Sequence, residues 1–174
     1  MNKTKRYPPE LLNLPVHTNM KGDPPTVSPE DSVSTVVDLM TSEDVGAVIV
    51  VEDRQPVGIM TEKDLLERVI KSAKHTELSL VRDVMSKPAV TIDAEKSVGD
   101  GLTIMDKNNI RRLIVTKNGS LLGLTTERRL LEIVCAQYVQ DSYGAVRGVL
   151  YDYASRIGVA YVSTYPPREC GIAT

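Results

Sequence analysis

The strongest constraint on this chain is that it contains itself twice. Shifting the sequence by 65 positions gives a register that runs without a gap. Thr26-Val-Ser-Pro-Glu-Asp-Ser-Val33 falls on Thr91-Ile-Asp-Ala-Glu-Lys-Ser-Val98, Met40 on Met105, and Ile49-Val50 on Ile114-Val115. Gly58-Ile-Met-Thr-Glu62 falls on Gly123-Leu-Thr-Thr-Glu127, and Leu65-Leu66 on Leu130-Leu131. Upstream, Val16 and Met20 match Val81 and Met85. Repetition at this period means two copies of one supersecondary unit, each too small to bury a comfortable core alone.

Each copy reads as β-α-β-β-α. A short extended piece (Thr26-Val27; Val90-Thr91-Ile92) precedes apolar residues at helical spacing, Val33, Val36, Val37 and Met40, with Val98, Leu102 and Met105 in the second copy. Val45-Gly-Ala-Val-Ile-Val-Val51 is apolar on both faces and β-branched, as a buried strand requires. The polar stretches Glu52–Gln55 and Lys117–Ser120 predict hairpins, the second through Asn118-Gly119, a pair that tolerates positive φ. A closing helix is expected to bury Leu65, Leu66, Val69 and Ile70 in one copy and Leu130, Leu131, Val134, Cys135 and Tyr138 in the other. The fold class is α/β of α+β type. Two units related by a pseudo-twofold share a core and create two clefts, followed by a C-terminal extension. The expected division is an N-terminal arm (1–13), a first unit (14–75), a second unit (76–136) and a C-terminal helix and tail (137–174).

Composition excludes several function classes. The net charge of -2 gives no electrostatic case for nucleic acid or an anionic membrane. No run approaches the roughly 18 apolar residues that cross a bilayer, and the basic N-terminus has no apolar stretch behind it, so a cytoplasmic location is expected. Cys135, Cys170, His17 and His75 lack metal-site spacing. The sequence contains no nucleophile–base pair and no glycine-rich phosphate loop, so no catalysis and no catalytic cofactor are expected. In the tail, Tyr143, Val146, Val149, Leu150, Tyr153 and Ile157 keep helical spacing. That face would dock a partner, or fold onto the module or a dimer mate.

The β-α-β-β-α unit ending in Gly58-Ile-Met-Thr-Glu-Lys-Asp64 resembles the CBS domain, which occurs in tandem as a Bateman module. The resemblance covers roughly residues 14 to 136. It implies a regulatory homodimer that binds AMP, ADP, ATP or S-adenosylmethionine between the two domains and signals to a protein partner. Carried over, Thr61 contacts phosphate or ribose and Asp64 holds the ribose hydroxyls. Thr26, Val27 and Ile59 line the same cleft, and Arg111 or Arg112 reaches phosphate. Arg112 is the better match to the family's phosphate-contacting arginine. On a strand the two arginines alternate faces, so at most one readily enters a given cleft. The alternative is that the arginines form a solvated edge pair or an ion pair with Glu127.

Thr61-x-x-Asp64 is also close to a capping box, in which each residue satisfies the other's backbone donor. The two roles are compatible. The second copy ends Gly123-Leu-Thr-Thr-Glu-Arg-Arg129, so Thr126 keeps its place while Arg129 replaces the aspartate. An arginine cannot accept from ribose hydroxyls. The second cleft is therefore expected to hold no nucleoside, or to offer Arg129 to a phosphate. A scaffold with a degenerate site, acting through the C-terminal segment, is the alternative function.

Overall fold

The computed structural model describes residues 12–133. The expected C-terminal helix and the tyrosine-rich segment lie outside the described residues, as does most of the N-terminal arm.

Strands β1 (Lys21–Gly22), β2 (Thr26–Val27), β3 (Ala47–Glu52), β4 (Gln55–Thr61), β5 (Thr91–Asp93), β6 (Arg112–Lys117) and β7 (Ser120–Thr126) form two sheets. Their orders are β2-β3-β4 and β1-β7-β6-β5. In each unit a parallel pair (β2 with β3, β5 with β6) extends an antiparallel hairpin (β3 with β4, β6 with β7). The hairpin turns run through Asp53 and Arg54, at φ 49° and 65°, and through Asn118 and Gly119, at 51° and 80°. Two consecutive positive φ values match the twist of the flanking strands.

Helix α1 (Val33–Ser42) starts at Ser32, whose hydroxyl accepts from the Thr35 amide, and it buries Val33, Val36 and Met40. Its counterpart α3 (Val98–Asn108) starts with a full capping box of Ser97 and Asp100 and buries Val98, Gly101, Leu102 and Met105. An oxygen accepting at the N-cap satisfies a donor that the helix cannot. Helix α2 begins as Glu62–Asp64 and continues as a π-helical stretch over Leu65–Ile70; α4 begins at 127 and is described to 133.

The two units exchange their first segments. Val16 is fully buried in the second unit's core, with Ile92, Val98, Leu113 and Leu130. Val81, Val84 and Met85 are buried in the first unit's core, with Val33, Val48 and Met60. The backbone repeats the arrangement: the Val16 amide donates to Lys96 O (2.7 Å) and the Val81 amide to Asp31 O (2.9 Å). Strand β1 adds to β7, placing Lys21 opposite Leu124, just as Ser86 bridges to Ile59. Gly58 and Gly123 permit the crossing. A Cβ at Gly58 would stand 2.7 Å from Met85 Sδ, and one at Gly123 would stand 2.6 Å from Met20 Sδ. In space, residues 14–22 pack with the second unit and 80–86 with the first.

One expectation needs correction. Leu66 and Ile70 do not face the core; they are 60% and 66% exposed. The π stretch, in which the Lys71 amide donates to Leu66 O and the Lys74 amide to Val69 O, inserts an extra residue per turn and swings this pair outward. Leu131, the counterpart of Leu66, is 6% exposed and belongs to a cluster against which Leu12 and Leu14 pack. Their counterparts, ahead of the 80–86 segment that packs on the first unit, are Glu77 and Ser79, which cannot supply that cover.

Candidate functional site between the two units

The start of α2 is where the sequence placed its strongest motif, and the structure builds a connected polar cluster there. Thr61 is the N-cap. Its hydroxyl accepts from the Asp64 amide (3.3 Å) and donates to Asp64 Oδ2 (2.6 Å), which also accepts from the Thr61 amide (2.9 Å). The capping box is therefore real. Asp64 is 6% exposed, and burying a carboxylate costs heavily unless its oxygens are bonded. Oδ1 meets that need by accepting from Ser86 Oγ at 2.8 Å, with Arg68 Nη1 at 3.5 Å. Arg68 is itself anchored on the carbonyls of Val84 (3.0 Å) and Met85 (2.7 Å), so the crossing segment positions both partners. Among the described residues, every buried side-chain polar atom has a partner.

A carboxylate offers about four acceptor positions. Oδ2 uses two, for the Thr61 amide and hydroxyl, and Oδ1 uses one for the Ser86 hydroxyl. A sugar hydroxyl on Asp64 would take the remaining position or replace Ser86 Oγ, an aliphatic hydroxyl at 2.8 Å from the same oxygen.

The second unit reaches into this cleft. Arg112 Nη2 lies 3.7 Å from Glu62 Oε2, beside the motif's own helix start. Both groups crowd Gly46, where a Cβ would meet Glu62 Oε2 at 2.6 Å and Arg112 Nη2 at 2.7 Å. Arg112 thus forms an ion pair with Glu62. Arg111 is exposed, and its carbonyl accepts from the Glu127 amide at 3.0 Å, which sets it at the start of α4.

The remaining expected residues divide between the clefts and the core. Thr26 is exposed on β2 and Ile59 is half-buried on β4. Val27 is in the first core, 4% exposed, so only its backbone could face a ligand. Thr126 caps α4 by accepting from the Arg129 amide at 3.2 Å, and Arg129 is exposed. Sequence reasoning missed Ser86, Arg68 and Glu62. Only the repeat register hinted at Ser86, which directly follows the Met85 that matches Met20.

The CBS domain family model matches residues 16–71 and 81–136. The chain belongs to the CBS-domain family. An uncharacterised protein of Methanopyrus kandleri is 33% identical over 110 residues, covering 62% of this chain and 56% of that protein. A mitochondrial CBS domain-containing protein of Arabidopsis thaliana is 30% identical over 117 residues, covering 64% of this chain and 57% of its own length. An inosine-5'-monophosphate dehydrogenase of Korarchaeum cryptofilum is 35% identical over 104 residues, 59% of this chain but 21% of the enzyme. The chain thus spans about half the length of the first two and a fifth of the third. The solved structure of an uncharacterised conserved protein from Pyrococcus horikoshii superposes with TM-score 0.63 at 27% identity, covering 70% of this chain and 92% of that one. No helix among the described residues is long and apolar enough to cross a membrane.

Proposed function

We propose that this tandem CBS module binds an adenine nucleotide (AMP, ADP or ATP) or S-adenosylmethionine beside Asp64 and signals to a partner protein by changing how its two units sit together. The observation that carries the reading is Asp64 itself. A buried carboxylate already receives two aliphatic hydroxyls, those of Thr61 and Ser86, with a cation of the second unit, Arg112, beside Glu62 two residues upstream in the same motif. Ribose hydroxyls would bond to Asp64 and Thr61, and Arg112 would leave Glu62 for the more highly charged phosphate or, in S-adenosylmethionine, for the carboxylate. Glu62 comes from the first unit and Arg112 from the second. A ligand that exchanges this pair acts differently on open and closed arrangements, as a switch requires.

The module would work as a homodimer, with the exposed Leu66 and Ile70 face of α2 as contact surface. A scaffold that binds no nucleotide and acts through its C-terminal segment is the competing reading. Isothermal titration of the full chain with each of the four ligands separates the two. Saturable binding by one of them, weakened at least tenfold by Arg112→Ala, fits the sensor. Absence of heat with all four in a folded chain would leave the scaffold.

A further inference from the structure

Two hydroxyls already sit on the Asp64 carboxylate, and they are not held alike. The Thr61 hydroxyl is tied twice: it donates to Oδ2 at 2.6 Å and accepts from the Asp64 amide at 3.3 Å. Together with the Thr61 amide at 2.9 Å, it fills Oδ2. The Ser86 hydroxyl, half-buried on the crossing segment, donates to Oδ1 at 2.8 Å. Arg68 Nη1, 3.5 Å from Oδ1, adds charge there but commits its hydrogen bonds to the carbonyls of Val84 and Met85. Oδ1 thus has one acceptor position free and one held by Ser86. The backbone beneath Ser86 is fixed, because its amide donates to Ile59 O at 2.9 Å and its carbonyl accepts from the Ile59 amide at 3.0 Å. Its hydroxyl therefore leaves Oδ1 by turning about one side-chain torsion, with no movement of the chain. The pair is particular to this unit. The repeat register puts Arg129 at the position of Asp64 and Lys21 at that of Ser86, so carboxylate and hydroxyl are lost together.

We infer that Ser86 is a built-in competitor for the sugar of the ligand, lowering the site's affinity for a vicinal diol and its preference for ribose over deoxyribose. The inference rests on the reading of Asp64 as the adenosine-ligand site. Two vicinal hydroxyls placed on Oδ1 need both of its acceptor positions. One fills the free position; the other takes the place of Ser86 Oγ, which turns to water. That second step exchanges one aliphatic hydroxyl for another on the same charged oxygen, so it adds little to affinity. A 2′-deoxy ligand brings a single hydroxyl, takes the free position and leaves Ser86 where it is. Ser86 thus cancels the bond by which a diol would otherwise outbind a lone hydroxyl.

The test is isothermal titration of the full chain, Ser86→Ala and Ser86→Thr with AMP, ADP, ATP and S-adenosylmethionine and with the 2′-deoxy form of each. Ser86→Ala should bind the ribose ligand about three- to tenfold more tightly, the net worth of one hydrogen bond, and its 2′-deoxy form within about twofold of the parent. Ser86→Thr keeps the hydroxyl and should bind both as the parent does. Should Ser86→Ala fail to fold, Ser86→Cys, whose thiol is a weak donor, carries the same expectations. Binding that emerges only once the hydroxyl is removed would also support the inference. Unchanged or weaker binding in Ser86→Ala, equal tightening of both ligand forms, or tightening in Ser86→Thr would each overturn it and leave the adenosine reading standing. Binding of no ligand by the folded parent and the folded Ser86→Ala would overturn both.

Discussion

Replacing Asp64 by alanine tests the polar cluster independently of any ligand. The substitution removes the acceptor for the Thr61 amide, the Thr61 hydroxyl and the Ser86 hydroxyl, and the counter-charge nearest Arg68. Losing half of a capping box costs about 1 kcal/mol. A partly buried donor left without an acceptor adds about 1–3 kcal/mol. The Ser86 hydroxyl is half-buried and can turn to water, so its share is small. The total is about 3 kcal/mol, which for a chain of this size lowers the melting temperature by about 6–12 °C. Thr61→Ala should cost about 1–2 kcal/mol, because the Asp64 carboxylate keeps the Thr61 amide and Ser86. The two substitutions touch one network, so the double variant should fall short of additivity by at least about 0.5 kcal/mol. Chemical denaturation of the four proteins provides the cycle. If Asp64→Ala lies within about 0.5 kcal/mol of the parent, the cluster does not hold the start of α2.

Other perturbations probe the exchanged segments and the outward face. Val16→Ala should cost about 2 kcal/mol, and hydrogen exchange should show Leu113–Val115 losing protection before Val48–Val50; the reverse order would contradict the crossing. Gly58→Ala should cost about 1–3 kcal/mol by thermal denaturation, since the added methyl meets Met85 and the Ser86 carbonyl; a neutral effect would mean the crossing segment is not tightly held. Leu131→Ala should cost about 2–5 kcal/mol and Leu66→Ala within about 0.5 kcal/mol in a monomeric state, and equal costs would refute the asymmetry between the closing helices.

Much of this fold is legible from local pattern. The Asn118-Gly119 turn, the period of α1 and the capping signal at Thr61 each act over a few residues, and the 65-residue register repeats such local patterns, so the sequence carries them directly. The exchange of segments is not local. Lys21 and Gly22 pair with residues about a hundred positions away, and a two-residue strand has no periodicity to read. Ser86 was hidden for the same reason, because its role exists only once that segment crosses to Asp64. The outward turn of Leu66 and Ile70 escaped because it depends on a π stretch, whereas the spacing alone suits an ordinary helix. Arg112 shows an intermediate case: strand alternation limits which cleft it can enter, but only the packed arrangement brings it to Glu62.

The most direct test of the regulatory reading is isothermal titration of the full chain and of Asp64→Asn, each below its melting temperature, with AMP, ADP, ATP and S-adenosylmethionine. Asparagine keeps the shape and can still accept from Thr61, but it lacks the charge that strengthens bonds from ribose hydroxyls. Saturable binding of one ligand by the parent, weakened at least tenfold in Asp64→Asn, is the expected result. Equal affinity in the two proteins, or binding of none of the four by a folded parent, would contradict it.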